Sequence, residues 1–198
     1  MGKHPRATLK TLPKVILVDA NFIVAYISPK TQVDDRARID HFIERAEKAK
    51  SKIVFPMPAI AEFLVRADLA GVEFLNRLDK KTFLVMADFN RAAAFELSQI
   101  DRAALNLGDK KDETDAPWQK IKVDRQIVAI GKSLGATLVI SDDGSVRNNA
   151  LRVGMQGMTI QELELPEAAK QQKLALVPVK KSRNIRQLKD VSLEPSAP

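Results

Sequence analysis

Short apolar runs alternate with segments of helical periodicity along most of the chain. Val15-Ile16-Leu17-Val18, after Lys14, is a continuous apolar run that stops at Asp19-Ala20-Asn21, the pattern of a strand buried on both faces and followed by a helix start. Ile39, Phe42, Ile43 and Ala46 recur at helical spacing among the charges of residues 34–50, and Ile53-Val54-Phe55 then reads as a second strand stopped by Pro56. A helix from about Pro58 places Ile60, Phe63, Leu64 and Ala67 on one face. A helix near 72–79, a strand at 82–86 and a helix from about Asn90 to Leu105 continue the alternation. Val123, Ile127, Ile130 and Leu134 then step by four, three and four, giving a helical face that ends at Gly135. Thr137-Leu138-Val139-Ile140 is another buried strand, halted by Ser141-Asp142-Asp143-Gly144, and a helical segment near 146–153 and a strand near 158–163 close the pattern.

Strands alternating with helices predict an α/β fold, three-layer α/β/α, with a mostly parallel central sheet and right-handed crossovers. At 198 residues the chain is long enough for one sizeable core. The expected organisation is a basic N-terminal arm over 1–13, one α/β domain over 14–165 and a basic C-terminal tail over 166–198. Residues 108–117 hold Gly108, Pro117 and a run of charges, so they predict an exposed loop.

Composition narrows the function. No apolar run approaches the roughly 20 residues of a membrane span, and the one that follows the basic N-terminus is broken by Asp19 and Asn21, so neither membrane insertion nor a secretory signal is expected. The chain has no cysteine, which removes thiolate metal sites and cysteine nucleophiles and fits a reducing cytoplasm. The net charge of +7 is concentrated at the ends: residues 1–14 hold four Lys/Arg and no acid, and residues 165–198 hold seven Lys/Arg against Glu167, Asp190 and Glu194. Between them basic and acidic side chains nearly balance, a distribution suited to arms that meet a phosphate backbone or an acidic partner.

Several α/β chemistries fail on inspection. Gly131-Lys132-Ser133-Leu134-Gly135 ends a helix and precedes a strand, the reverse of the order that presents helix-terminal N–H groups to a pyrophosphate, and no phosphate-binding GxxxxGK[ST] loop occurs. The only histidines, His4 and His41, lie in polar segments, which leaves a serine nucleophile without a base. Carboxylates at special positions remain. Asp19 ends the first strand, Glu62 sits one turn into the helix after the second, Asp124 opens the helix of the 123–134 pattern, and Asp142 follows the strand at 137–140. In an open parallel sheet these positions share the edge where such folds bind ligands. Each aspartate could simply cap a helix or turn. Glu62, amid Ala59-Ile60-Ala61 and Phe63-Leu64-Val65, is costly to bury unless it is paired or meets a cation. Four converging carboxylates repel one another unless a cation compensates them, and oxygen-only ligation favours Mg²⁺ or Mn²⁺ over zinc. Asp112, Glu113 and Asp115 read as a solvated charged loop.

The stretches Val15-Ile16-Leu17-Val18-Asp19-Ala20-Asn21, Pro58-Ala59-Ile60-Ala61-Glu62-Phe63, and Asp124-Arg125-Gln126-Ile127-Val128-Ala129-Ile130 leading into Gly135-Ala136-Thr137-Leu138-Val139-Ile140-Ser141-Asp142 resemble, in order, the motifs of the PIN-domain family. The resemblance spans about residues 14–163. It implies a Mg²⁺- or Mn²⁺-dependent ribonuclease whose catalytic and metal-holding acids are Asp19, Glu62, Asp124 and Asp142, with Asp143 as the alternative to Asp142 and with Asn21 and Ser141 in support. It further implies RNA as substrate and, as in VapC-type toxins, an antitoxin protein as partner; a homodimer is a further expectation. The extended 108–117 loop, Ile140 where Thr is frequent, and the basic tail depart from the compact toxin pattern. Rival readings are a PIN-like module that binds RNA or protein with little catalysis, and a haloacid-dehalogenase-type phosphatase, which needs a second aspartate where Asn21 stands.

Overall fold

Ile16, Leu17 and Val18 are fully buried, as a central strand covered on both faces requires. The computed structural model describes residues 11–67, 69–108, 111 and 115–170. Strands β1 (Val15–Val18), β2 (Lys52–Pro56), β3 (Leu84–Ala87), β4 (Leu138–Ile140) and β5 (Gln156–Met158) form one sheet in the order β3-β2-β1-β4-β5, every neighbouring pair parallel. The connecting helices are α1 (Ala20–Ile27), α2 (Val33–Lys48), α3 (Met57–Arg66), α4 (Leu69–Leu78), α5 (Arg91–Asn106), α6 (Trp118–Ser133) and α7 (Gly144–Arg152). This is the predicted α/β architecture with a parallel sheet.

The chain first moves outward from β1 through β2 to β3, then returns across the sheet to lay β4 and β5 on the other side of β1. Right-handed crossovers put α1–α4 on one face and α5–α7 on the other, and the reversal leaves a crevice between the ends of β1 and β4. The pairing of Val18 with Ile140 brings the residues that follow, Asp19 and Ser141, to adjacent positions at that crevice.

Packing of α6 on β1 is close. A Cβ added at Gly131 would fall 2.7 Å from Leu17 Cδ2, so only glycine lets this helix lie so near the strand. Gly135, at φ +79°, then takes the left-handed conformation that ends the helical segment before β4.

Two predicted boundaries need correction. Helix α6 starts at Trp118, five residues before Val123, which places Asp124 near the end of the second turn instead of at the helix start. Pro117 sets that start, and the apolar residues of the first turn, Trp118 and Ile121, stand off the Val123–Ile127–Ile130 face, so that period does not reveal it. The strand expected near 158–163 stands at 156–158, and Ile160–Glu162 is a short 3₁₀ turn in which the Glu162 carboxylate accepts the Thr159 N–H at 2.8 Å.

The basic arm and tail fall, apart from residues 11–13 and 166–170, outside the described residues. Leu12 already packs against the core, and the Pro166 carbonyl accepts from the N–H groups of Ala169 and Lys170. Asp112 and Glu113 also lie outside the described residues, while Asp115 is exposed. No helix among the described residues is long and apolar enough to cross a membrane.

Candidate active-site cleft

Asp19 leaves β1 and caps α1. Its Oδ1 accepts the Phe22 N–H at 3.1 Å, and its Oδ2 accepts the hydroxyl of Ser141 and, at 3.4 Å, Asn21 Nδ2. The residue is 3% exposed, and burial pushes its carboxyl up from 3.8 to about 6. The hydrogen bonds from Ser141 and Phe22 pull the other way, and the negative charges of Asp143 and Asp142 raise it further. The capping and functional readings of this aspartate are therefore compatible, because one oxygen caps the helix and the other faces Ser141.

Ser141 is fully buried, and its Oγ also accepts the Asp143 N–H at 3.0 Å. Asp143 caps α7 through the Ser145 N–H at 2.8 Å and turns its other oxygen to Lys120, whose Nζ donates at 2.6 Å. Burial works to raise the Asp143 carboxyl, but the hydrogen bond and charge of Lys120 and the Ser145 N–H outweigh it and hold the group below the ordinary carboxylate range. The same Lys120 ammonium donates to Asp124 Oδ2 at 3.0 Å, one helical turn along α6. Burial would lower the lysine, yet these two carboxylates raise it.

Asp19, Glu62, Asp124 and Asp143 line one cleft of about 570 Å³, together with Asn21, Lys120 and the apolar residues Pro58, Ala61, Val65, Val123, Ile127 and Val146. Glu62 comes from α3 and is exposed, so the burial cost expected of its apolar neighbours does not arise: Ile60 and Phe63 go into the core while Glu62 faces the cleft.

Asp142 is placed differently from Asp143. Its Oδ1 accepts the Ile160 N–H at 3.0 Å beyond β5, and it lines a neighbouring groove instead of the cleft. Ser141 and Asp143 turn to the cleft side and Asp142, between them, turns away, the two-residue alternation of extended chain carried past the strand end. Of the two candidates it is Asp143 that joins Asp19, Glu62 and Asp124.

Lys120 was not singled out by the sequence reading, although its spacing of four from Asp124 on a helix was a visible signal. It supplies part of the compensation that clustered acids require. Among the described residues no three His, Cys, Asp or Glu side chains stand together as a set ready to hold a metal ion. The donor chemistry still suits a hard divalent cation: the cleft offers carboxylate oxygens and, in Asp19, a buried carboxyl whose negative charge burial disfavours.

Neither a family model nor a curated protein matches the sequence. Among solved structures, a chain of VapBC2 from Rickettsia felis, crystallised bound to a DNA fragment from their promoter, superposes with a TM-score of 0.51 at 14% identity, over 73% of this chain and 98% of that chain. At this identity the likeness is one of fold, and it agrees with the PIN-like architecture expected from the motifs.

Proposed function

We propose that the protein is a PIN-like endoribonuclease, hydrolysing RNA phosphodiester bonds with Mg²⁺ or Mn²⁺ held by Asp19, Asp124 and Asp143 and with Glu62 at the rim. The observation that carries this reading is the meeting of these four carboxylates in one cleft at the crevice between β1 and β4. When bound, the cation would polarise the phosphate, lower the pKa of attacking water and offset the developing negative charge. The rest falls to the chain itself. Ser141 and the Phe22 N–H fix both oxygens of Asp19, so its orientation does not depend on ligand. The α6 backbone sets Asp124 beside Asp143, and exposed Glu62 is free to orient water and accept its proton.

The toxin role in a toxin-antitoxin pair, acting on RNA in the cytoplasm, belongs to the same proposal. Its support is the fold shared with a chain of the Rickettsia felis VapBC2 assembly. The apolar wall of the cleft, with Val65 85% exposed, would give an antitoxin protein a surface to cover.

The test is incubation of the full chain with mixed RNA in Mn²⁺ and in chelator. Cleavage is expected only with the metal. Asp19→Asn and Asp124→Asn should each lower the rate roughly a hundredfold or more, on the order of several kcal/mol of transition-state stabilisation, with the fold kept. Undiminished cleavage by both variants would assign the activity to a contaminant.

The pairing of Lys120 with two of the acids favours a second reading, a catalytically weak PIN-like module that binds RNA or protein. Binding without cleavage in any divalent metal, unchanged in the two variants, would select it.

A further inference from the structure

In this acidic cleft Asp124 and Asp143 already share a cation, and it belongs to the chain. Lys120 Nζ lies 3.0 Å from Asp124 Oδ2 and 2.6 Å from Asp143 Oδ2, bridging carboxylates that come from α6 and from the start of α7. The lysine side chain is 45% exposed, so it reaches the pair from the solvent side on a flexible four-carbon stem. Asp124, by contrast, is 6% exposed and cannot turn to water if its partner leaves.

We propose that Lys120 is an exchangeable counter-ion: its ammonium holds Asp124 and Asp143 in the metal-free protein, and a divalent cation binds by displacing it. This rests on the reading of the cleft as a divalent-cation site and deepens it. A tethered ammonium serves as a competitor because it offsets only one of the pair's two negative charges and cannot chelate, whereas a divalent ion brings two charges to the same oxygens. Half exposure leaves the displaced side chain an open route to solvent. The protein would then keep its carboxylates from repelling one another at low metal, at the cost of weaker metal affinity.

Mn²⁺ binding to the full chain is measured by calorimetry, and the thermal midpoint is followed with and without Mn²⁺, for wild type, Lys120→Met and Lys122→Met. Lys122 is an exposed lysine on the same helix, so its variant removes the same charge without touching the carboxylates. Lys120→Met is expected to bind Mn²⁺ about tenfold more tightly, the value of two modest ion pairs no longer to be broken, while Lys122→Met changes affinity by less than about twofold. Without metal, Lys120→Met should melt below wild type, and Mn²⁺ should raise its midpoint more than it raises that of wild type. Equal or weaker Mn²⁺ binding by Lys120→Met, or equal tightening by Lys122→Met, overturns the exchange while leaving the cation site standing. No Mn²⁺ binding to any of the three proteins overturns the cation reading itself, and the exchange with it. Lys120→Gln, which keeps a polar end and removes the charge, repeats the measurement should the methionine variant fold poorly.

Discussion

Asp19 shows what one residue can carry. Its carboxyl ends a buried strand, and burial lifts it from 3.8 to about 6. The native state therefore holds a proton that the unfolded chain has already released between about pH 4 and pH 6, so stability falls as pH rises through that window. A shift of this size corresponds to roughly 3 kcal/mol in all, of which about 2 is lost between pH 4 and pH 7. Asp143, held low by Lys120, has the opposite sign: it contributes stability above the ordinary carboxylate value that is lost on acidification. Comparison with Asp19→Asn separates the two, since asparagine can still cap α1 through the Phe22 N–H. In chelator, urea unfolding from pH 4 to 8 should show the variant gaining on wild type as pH rises, by up to about 2 kcal/mol, with most of the gain between pH 4 and 6. A constant difference across the range would show that burial does not set this group's charge. The identity of Asp19 was legible because an aspartate directly after an apolar run marks a strand end. The choice between Asp142 and Asp143 was not, because it depends on which way side chains turn in a three-residue bend. Lys120 carries only the mark of its spacing of four from Asp124, and counting acids finds the charges that need compensation but not the side chain that reaches them.

Among the elements, α6 does the most to form the cleft. It carries Lys120 and Asp124 in its first two turns and lies against β1 through Gly131 two turns further on. Gly131→Ala would gain about 1 kcal/mol of helix propensity. It would also drive a methyl group to 2.7 Å from the fully buried Leu17, and overpacking of this kind costs about 1–3 kcal/mol. The net expectation is a destabilisation of about 1 kcal/mol by urea unfolding, together with weaker Mn²⁺ binding as α6 shifts Asp124 away from Asp19. A stabilised variant would mean that the helix moves freely on the strand. The apolar period of this helix was readable from Val123 onward because that half faces the core, with Ile127, Val128 and Ile130 buried. Its first turn was not, since Gln119 and Lys120 face the cleft while Trp118 and the buried Ile121 stand off the Val123–Ile127–Ile130 face. The strand expected at 158–163 failed for a related reason: the Thr159–Glu162 hydrogen bond folds the chain into a turn, and a local side-chain contact of this kind overrides apolar content.

For the whole molecule the governing feature is charge. The middle of the chain is nearly balanced, and its proposed site is an acidic cleft that a polyanion should avoid, whereas the C-terminal segment is rich in Lys and Arg. We expect that segment to strengthen RNA binding without taking part in the chemistry. Neutralising Lys173, Lys180, Lys181, Arg183, Arg186 and Lys189 to glutamine leaves every described residue in place. If all six meet phosphates, the slope of log affinity against log salt should become shallower by up to about 4, because single-stranded RNA releases about 0.7 counterion per phosphate neutralised. Cleavage at saturating RNA should hold its rate, since contacts made equally in ground and transition states act on binding and not on turnover. The competing role is docking on the core or on a partner through Leu174, Leu176, Val177, Ile185 and Leu188. An unchanged salt slope in the six-fold variant would remove RNA from the account of the tail. A loss of thermal midpoint when those five apolar residues are replaced by serine would then assign the segment to protein contacts.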